Sequence, residues 1–177
     1  MDATTPERRS RLRQYQVQLL ERMQAAKTGP ASGGRELGVM IGGRHCLLDL
    51  TQISEIVPLQ ALTPVPLTQP WYLGLANIRG QLTGVVELAS YLHGQPPAPA
   101  APGQRDITLA PALKLHCALR VEALLGLRYL ADMEERAAVA DAPPWCRQQY
   151  DDSAGCRWHR LDLAQLVREP GFLQVGL

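Results

Sequence analysis

The side chains with the most chemical potential in this 177-residue chain are four cysteines and four histidines, two of each forming adjacent pairs, His45-Cys46 and His116-Cys117. Four such ligands are the set that holds zinc, and a thiolate beside an imidazole is a nucleophile with its base. Spacing argues against both. Neighbouring residues on a strand point to opposite faces, so His45 and Cys46 cannot easily share one metal. The remaining residues, His93, His159, Cys146 and Cys156, form no C-x-x-C or H-E-x-x-H pattern. The chain also lacks a G-x-S-x-G elbow, a phosphate-binding G-x-x-x-x-G-K-[ST] loop and a dinucleotide G-x-G-x-x-G. A small thiol or metal enzyme at the His-Cys pairs therefore stands only as an alternative.

Arg157-Trp158-His159-Arg160 has the basic and aromatic character of a nucleic-acid surface. Asp151, Asp152 and Asp162 lie beside it, and the formal net charge of the chain is only +1. A nucleic-acid-binding small β-barrel is thus a second alternative without an electrostatic footprint. Hydrophobic residues make up 46% and charged residues 20%, which is globular composition. The first residues have no apolar run after their charges and no stretch reaches 18 apolar residues, so a cytoplasmic, non-inserted chain with reduced thiols and no cofactor is expected.

Patterning places these residues on elements. Leu12, Tyr15, Leu19 and Met23 recur at helical spacing, so residues 7–27 are predicted helical, and a Gly/Pro/Ser joint follows. Residues 1–34 make a helix with a flexible joint, ahead of a domain over 35–177. From Glu36 the period is two: Leu37, Val39 and Ile41 alternate, Gly42-Gly43 turns the chain, and Cys46, Leu48 and Leu50 alternate again. Further strands are expected over 53–59, 81–88, 113–121 and 124–130, and in a strand–turn–strand over 145–161. Short helices follow Leu88 and Asp162. Residues 94–111, with Gly94, Gly103 and five prolines, read as a loop. His45-Cys46-x-Leu48-x-Leu50 and His116-Cys117-x-Leu119-x-Val121 repeat one another, which suggests a duplicated small barrel.

The most informative stretch is Trp71-Tyr72-Leu73-Gly74-Leu75-Ala76-Asn77-Ile78-Arg79-Gly80, followed by Val85-Val86-Glu87-Leu88. With Ile53-Ser54-Glu55-Ile56 upstream, this resembles the signature of CheW-like domains, although Glu87 stands where that family usually has Asp. The resemblance spans about residues 36–168. It implies a mainly β fold of two small five-stranded, SH3-like barrels sharing a core, with short helices. It also implies a non-catalytic scaffold that couples the cytoplasmic tip of a methyl-accepting chemoreceptor to the regulatory domain of a CheA-type histidine kinase. The N-terminal helix and the closing Phe172-Leu173-Gln174-Val175 are similar to family members that serve type IV pili and twitching motility.

Carried over by position, Glu55 and Arg79 form a polar pair beside the receptor groove, and Asn77 and Gly80 shape the adjoining turn. Leu50, Ile53, Val121 and Leu124 match partner-binding positions. Two plainer readings stay open: Glu55–Arg79 as a structural ion pair, and Leu50 and Val121 as core, where alternating strand residues usually lie.

Overall fold

The computed structural model describes Gln18, Leu19, Arg22 and residues 34–177. Those first three residues are helical; the rest of the expected 7–27 helix and its joint lies outside the described residues. From Arg35 the chain forms eleven strands in two sheets: β1 (Arg35–Ile41), β2 (Arg44–Asp49), β3 (Ile53–Pro58), β4 (Tyr72–Ile78), β5 (Gln81–Val86), β6 (Arg105–Leu109), β7 (Cys117–Val121), β8 (Ala123–Tyr129), β9 (Glu134–Arg136), β10 (Gln148–Asp151) and β11 (Arg157–Leu161). Helices are short: α1 (Leu88–His93), α2 (Leu163–Leu166) and α3 (Pro170–Leu173). The six-stranded sheet runs β8-β1-β2-β11-β10-β9 and the five-stranded sheet β3-β6-β7-β5-β4. The fold is mainly β. Both sheets have an open strand order, where the resemblance implies two closed five-stranded barrels.

The alternation of Leu37, Val39 and Ile41 against Cys46 and Leu48 buries these residues on paired strands, with Gly42 and Gly43 at φ 57° and 69° making the turn. Two sequence expectations are corrected. Residues 105–109 are a strand inside the expected 94–111 loop, and β6 buries Ile107 and Leu109 between β3 and β7. Leu113 and Leu115 do not extend β7, because Pro111–Leu113 is a 3₁₀ turn and Lys114 has φ 56°.

The His-Cys repeat reports a true correspondence between the sheets. Both pair an antiparallel hairpin with a parallel strand from elsewhere in the chain: β1–β2 with the later β11, and β6–β7 with the earlier β5. Matching β1 to β6, β2 to β7, β8 to β3, β11 to β5 and β10 to β4 makes the two strand orders identical, β9 being extra. Even the register shifts coincide, between Gly38 and Val39 in one sheet and between Ile53 and Ile56 in the other. Each parallel strand then enters a short helix through an acidic N-cap, Glu87 or Asp162.

Each sheet buries an acid at the same register position. Asp106 on β6 faces Arg120 on β7, with bonds of 2.9 and 3.0 Å from Arg120 Nε and a terminal nitrogen. In the other sheet Glu36 faces Asp49, and Arg160 from β11 donates to both, at 3.0 and 3.2 Å. Arg120 is only 9% exposed because Asp106 satisfies it inside. Burial pushes the Glu36 carboxyl above its ordinary range, and the bond and charge of Arg160 only partly oppose this.

Candidate protein-docking site

The β4–β5 hairpin turns on two residues. Ile78 pairs with Gln81, so Arg79 and Gly80 form the loop, with φ 50° and 81°. Both positions need the left-handed region, which glycine adopts freely and arginine does at a cost. The flanking Asn77 compensates locally: its side-chain Oδ1 accepts from the Gly80 amide at 2.8 Å. The turn lifts Arg79 off the sheet, leaving its side chain 74% exposed.

Glu55 comes from the opposite edge strand, β3, at its bulge, where its amide donates to Thr108 Oγ1 at 2.9 Å. Its Oε2 lies 2.7 Å from Arg79 Nε. That oxygen is enclosed and has no aligned hydrogen bond, so the contact is one of charge alone. A pair this exposed adds under about 1 kcal/mol to stability. Beside the pair opens a cleft of about 210 Å³, with Ile78, Leu109 and Leu115 on its walls and Arg79, Lys114 and His116 at its rim.

The other expected positions divide. Leu50 is 3% exposed, Ile53 0% and Val121 1%, so all three are core and present no surface in this conformation. Leu124, facing Val39 across the β1–β8 pair, is half-buried. By register Leu50, just past β2, is equivalent to Val121 at the end of β7, and Leu124, second in β8, to Ile53 at the start of β3. The sequence missed a second, apolar cleft of about 260 Å³, lined by Trp71, Tyr72, Leu82, Leu115, Phe172 and Leu173. Leu82 and Leu173 stand exposed there, and Phe172 stacks on Trp71 at 5.5 Å. The Trp71…Phe172 separation in sequence hides this juxtaposition.

The His-Cys pairs split across the sheet. Cys46 is buried and shares a cleft with Cys146, His93 and His159, while His45 faces away to Trp158 and to Cys156 Sγ at 3.4 Å. Among the described residues, no three His, Cys, Asp or Glu side chains are placed to hold one metal ion. Burial pushes the Cys46 and Cys117 thiols up to about 12, far from the thiolate that nucleophilic chemistry needs. Nor is 157–160 a basic patch. Arg157 is tied to Asp151 at 2.7 Å, Trp158 is 2% exposed, and Arg160 is held by Glu36 and Asp49.

Comparison with known proteins agrees with this architecture. The family model described as CheW-like domain matches residues 36–170, and the chain belongs to that family. It is 26% identical over 93 residues to the protein PilI of Pseudomonas aeruginosa, covering 52% of this chain and 51% of that one. It is 31% identical over 62 residues to the chemotaxis protein CheW of Bacillus subtilis, covering 35% and 40%. The chain thus spans about half the length, or less, of the curated relatives it matches. The fold is that of the scaffolding protein TtCheW of Thermoanaerobacter tengcongensis, with a TM-score of 0.64 at 18% identity over 78% of this chain and 94% of that one. No described helix is long and apolar enough to cross a membrane.

Proposed function

We propose that this chain is a non-catalytic scaffold of chemotaxis-type signalling that couples a methyl-accepting chemoreceptor to a CheA-type histidine kinase. The observation that carries the reading is the Glu55–Arg79 pair: a charge contact beside a cleft, held on a strained turn and adding little to stability, in a CheW-like domain. An adaptor needs apolar surface for affinity and a few charges for register. The polar 210 Å³ cleft and the apolar 260 Å³ cleft supply two such surfaces, one for each partner. Arg79 is suited to a carboxylate, since its planar guanidinium can make two parallel bonds that lysine cannot reproduce.

The receptor tip docks at the cleft beside Glu55 and Arg79, and the kinase regulatory domain binds another face. Leu124 contributes to a partner surface from the edge strand β8, while Leu50, Ile53 and Val121 support such surfaces from beneath. The similarity to PilI favours a pathway controlling type IV pili and twitching motility, with the protein in the cytoplasm beside receptor arrays.

Calorimetric titration with the regulatory region of a CheA-type kinase from the same genome tests the reading. Saturable micromolar binding near one-to-one is the expected result. Absence of binding to every such kinase the genome encodes, with the chain folded, would refute it.

A further inference from the structure

The correspondence between the two sheets shows what the 210 Å³ cleft lacks. Register equates Trp158 with Thr83, since Trp158 pairs with His45 and Thr83 precedes the Gly84–Cys117 pair by one step, opposite His116. The same register equates Gly38 with Thr108 and Gly126 with Glu55. In the six-stranded sheet the Trp158 indole covers Gly38, where a Cβ would stand only 3.0 Å from it, and lies 4.9 Å from the His45 ring, while the Gly126 position beside them is open. The indole Nε1 donates to Asp152 at 2.9 Å, and the Arg128 guanidinium lies 5.0 Å from the ring.

In the five-stranded sheet the four equivalent residues, Glu55, Thr108, His116 and Thr83, line the open cleft. Where the other sheet covers Gly38 and His45 with an indole, this sheet has only the small buried Thr83. The cleft's apolar walls fit a flat ring, and the Arg79 guanidinium stands at the rim, 2.7 Å from the enclosed Glu55 Oε2, which accepts no aligned hydrogen bond.

We propose that this cleft receives an aromatic side chain carrying an N–H or O–H donor, an indole or a phenol, presented by the protein that docks on this face. The inserted ring takes the place that Trp158 occupies in the other sheet and donates to Glu55. This rests on the adaptor reading and adds the chemistry of the anchor that the partner must bring. A central ring in a desolvated pocket is the kind of contact that dominates interface energetics.

The test uses the full ¹⁵N-labelled chain titrated with N-acetyltryptophanamide and, separately, N-acetylphenylalaninamide, followed by amide shifts. Expected are saturable shifts centred on Thr83, Thr108 and His116, weaker for the phenyl probe. They should vanish in Thr83→Trp, which fills the cleft as Trp158 fills its counterpart, and in Gln81→Trp, an exposed rim position tolerant of the change. Shifts absent from the cleft, persisting in the folded variants, or equal for both probes overturn the proposal. In parallel, a chemoreceptor tip fragment is titrated into wild type and variants, with an expected loss of about tenfold or more on filling the cleft. Equal binding by wild type and variants overturns the anchor while leaving the adaptor intact. Failure of the wild type to bind either receptor or kinase removes the adaptor reading, and the probe titration still decides the cleft.

Discussion

At Arg79 backbone and side chain make opposite demands. Its left-handed backbone costs an L-residue about 1–2 kcal/mol, and its exposed ion pair returns less than about 1 kcal/mol. Arg79→Gly removes both and raises unfolded-chain entropy by about 0.4–1 kcal/mol. The expected unfolding free energy from urea denaturation stays within about 1 kcal/mol of wild type, while receptor binding is lost. A variant that unfolds, or that still binds, would return Arg79 to the frame of the hairpin. The motif Asn77-Ile78-Arg79-Gly80 was legible in the sequence because turn chemistry is local: Asn77 caps Gly80 three residues on. The contact between Arg79 and Glu55 was inferred only through resemblance, since 23 residues and a strand exchange lie between them.

Among elements, the β6–β7 ladder shows how a strand hides inside a loop-like composition. Arg105–Leu109 is flanked by prolines and glycine, but Asp106 finds Arg120 directly across the ladder, and Ile107 and Leu109 enter the core. Removing one partner leaves an uncompensated buried charge, so Asp106→Ala should cost about 3–5 kcal/mol in chemical denaturation. The double change Asp106→Leu with Arg120→Met should recover most of that loss, because apolar replacements remove both desolvated charges together. A single variant as stable as wild type would mean the pair is dispensable to the ladder. Periodicity predicted β1 and β2 because one face of each is apolar. It failed at β6 and at Arg120, where the inward residue is a charge whose partner the one-dimensional pattern does not show.

For the whole molecule, two carboxylates set opposing responses to pH. Bonds from Arg157 and Arg136 hold Asp151 down to about 2, so its contribution is present above the ordinary carboxylate value and fades as pH falls toward 2. Glu36 is raised by burial, so its contribution is full below 4.5 and is lost as pH rises through its folded value. Acidifying from neutrality toward 4.5 should therefore raise the contribution from Glu36 before Asp151 begins to lose its own. Urea midpoints measured across that window should climb in wild type relative to Glu36→Gln. Parallel profiles for the two proteins would show that Glu36 does not set the response.

The sequence by itself determined the strand alternation, the Gly42-Gly43 and Arg79-Gly80 turns, the duplication and the family, since each is written in local pattern or contiguous motif. Only the tertiary structure decided that Leu50, Ile53 and Val121 are core, that Glu36 and Asp106 occupy matching buried sites, and that Thr83 stands where the other sheet has Trp158. Side-chain burial and vacancy depend on which strand lies alongside, and here both parallel pairings join strands far apart in the chain. Local periodicity fixes the face a residue shares with its neighbours, and only the pairing fixes what that face meets.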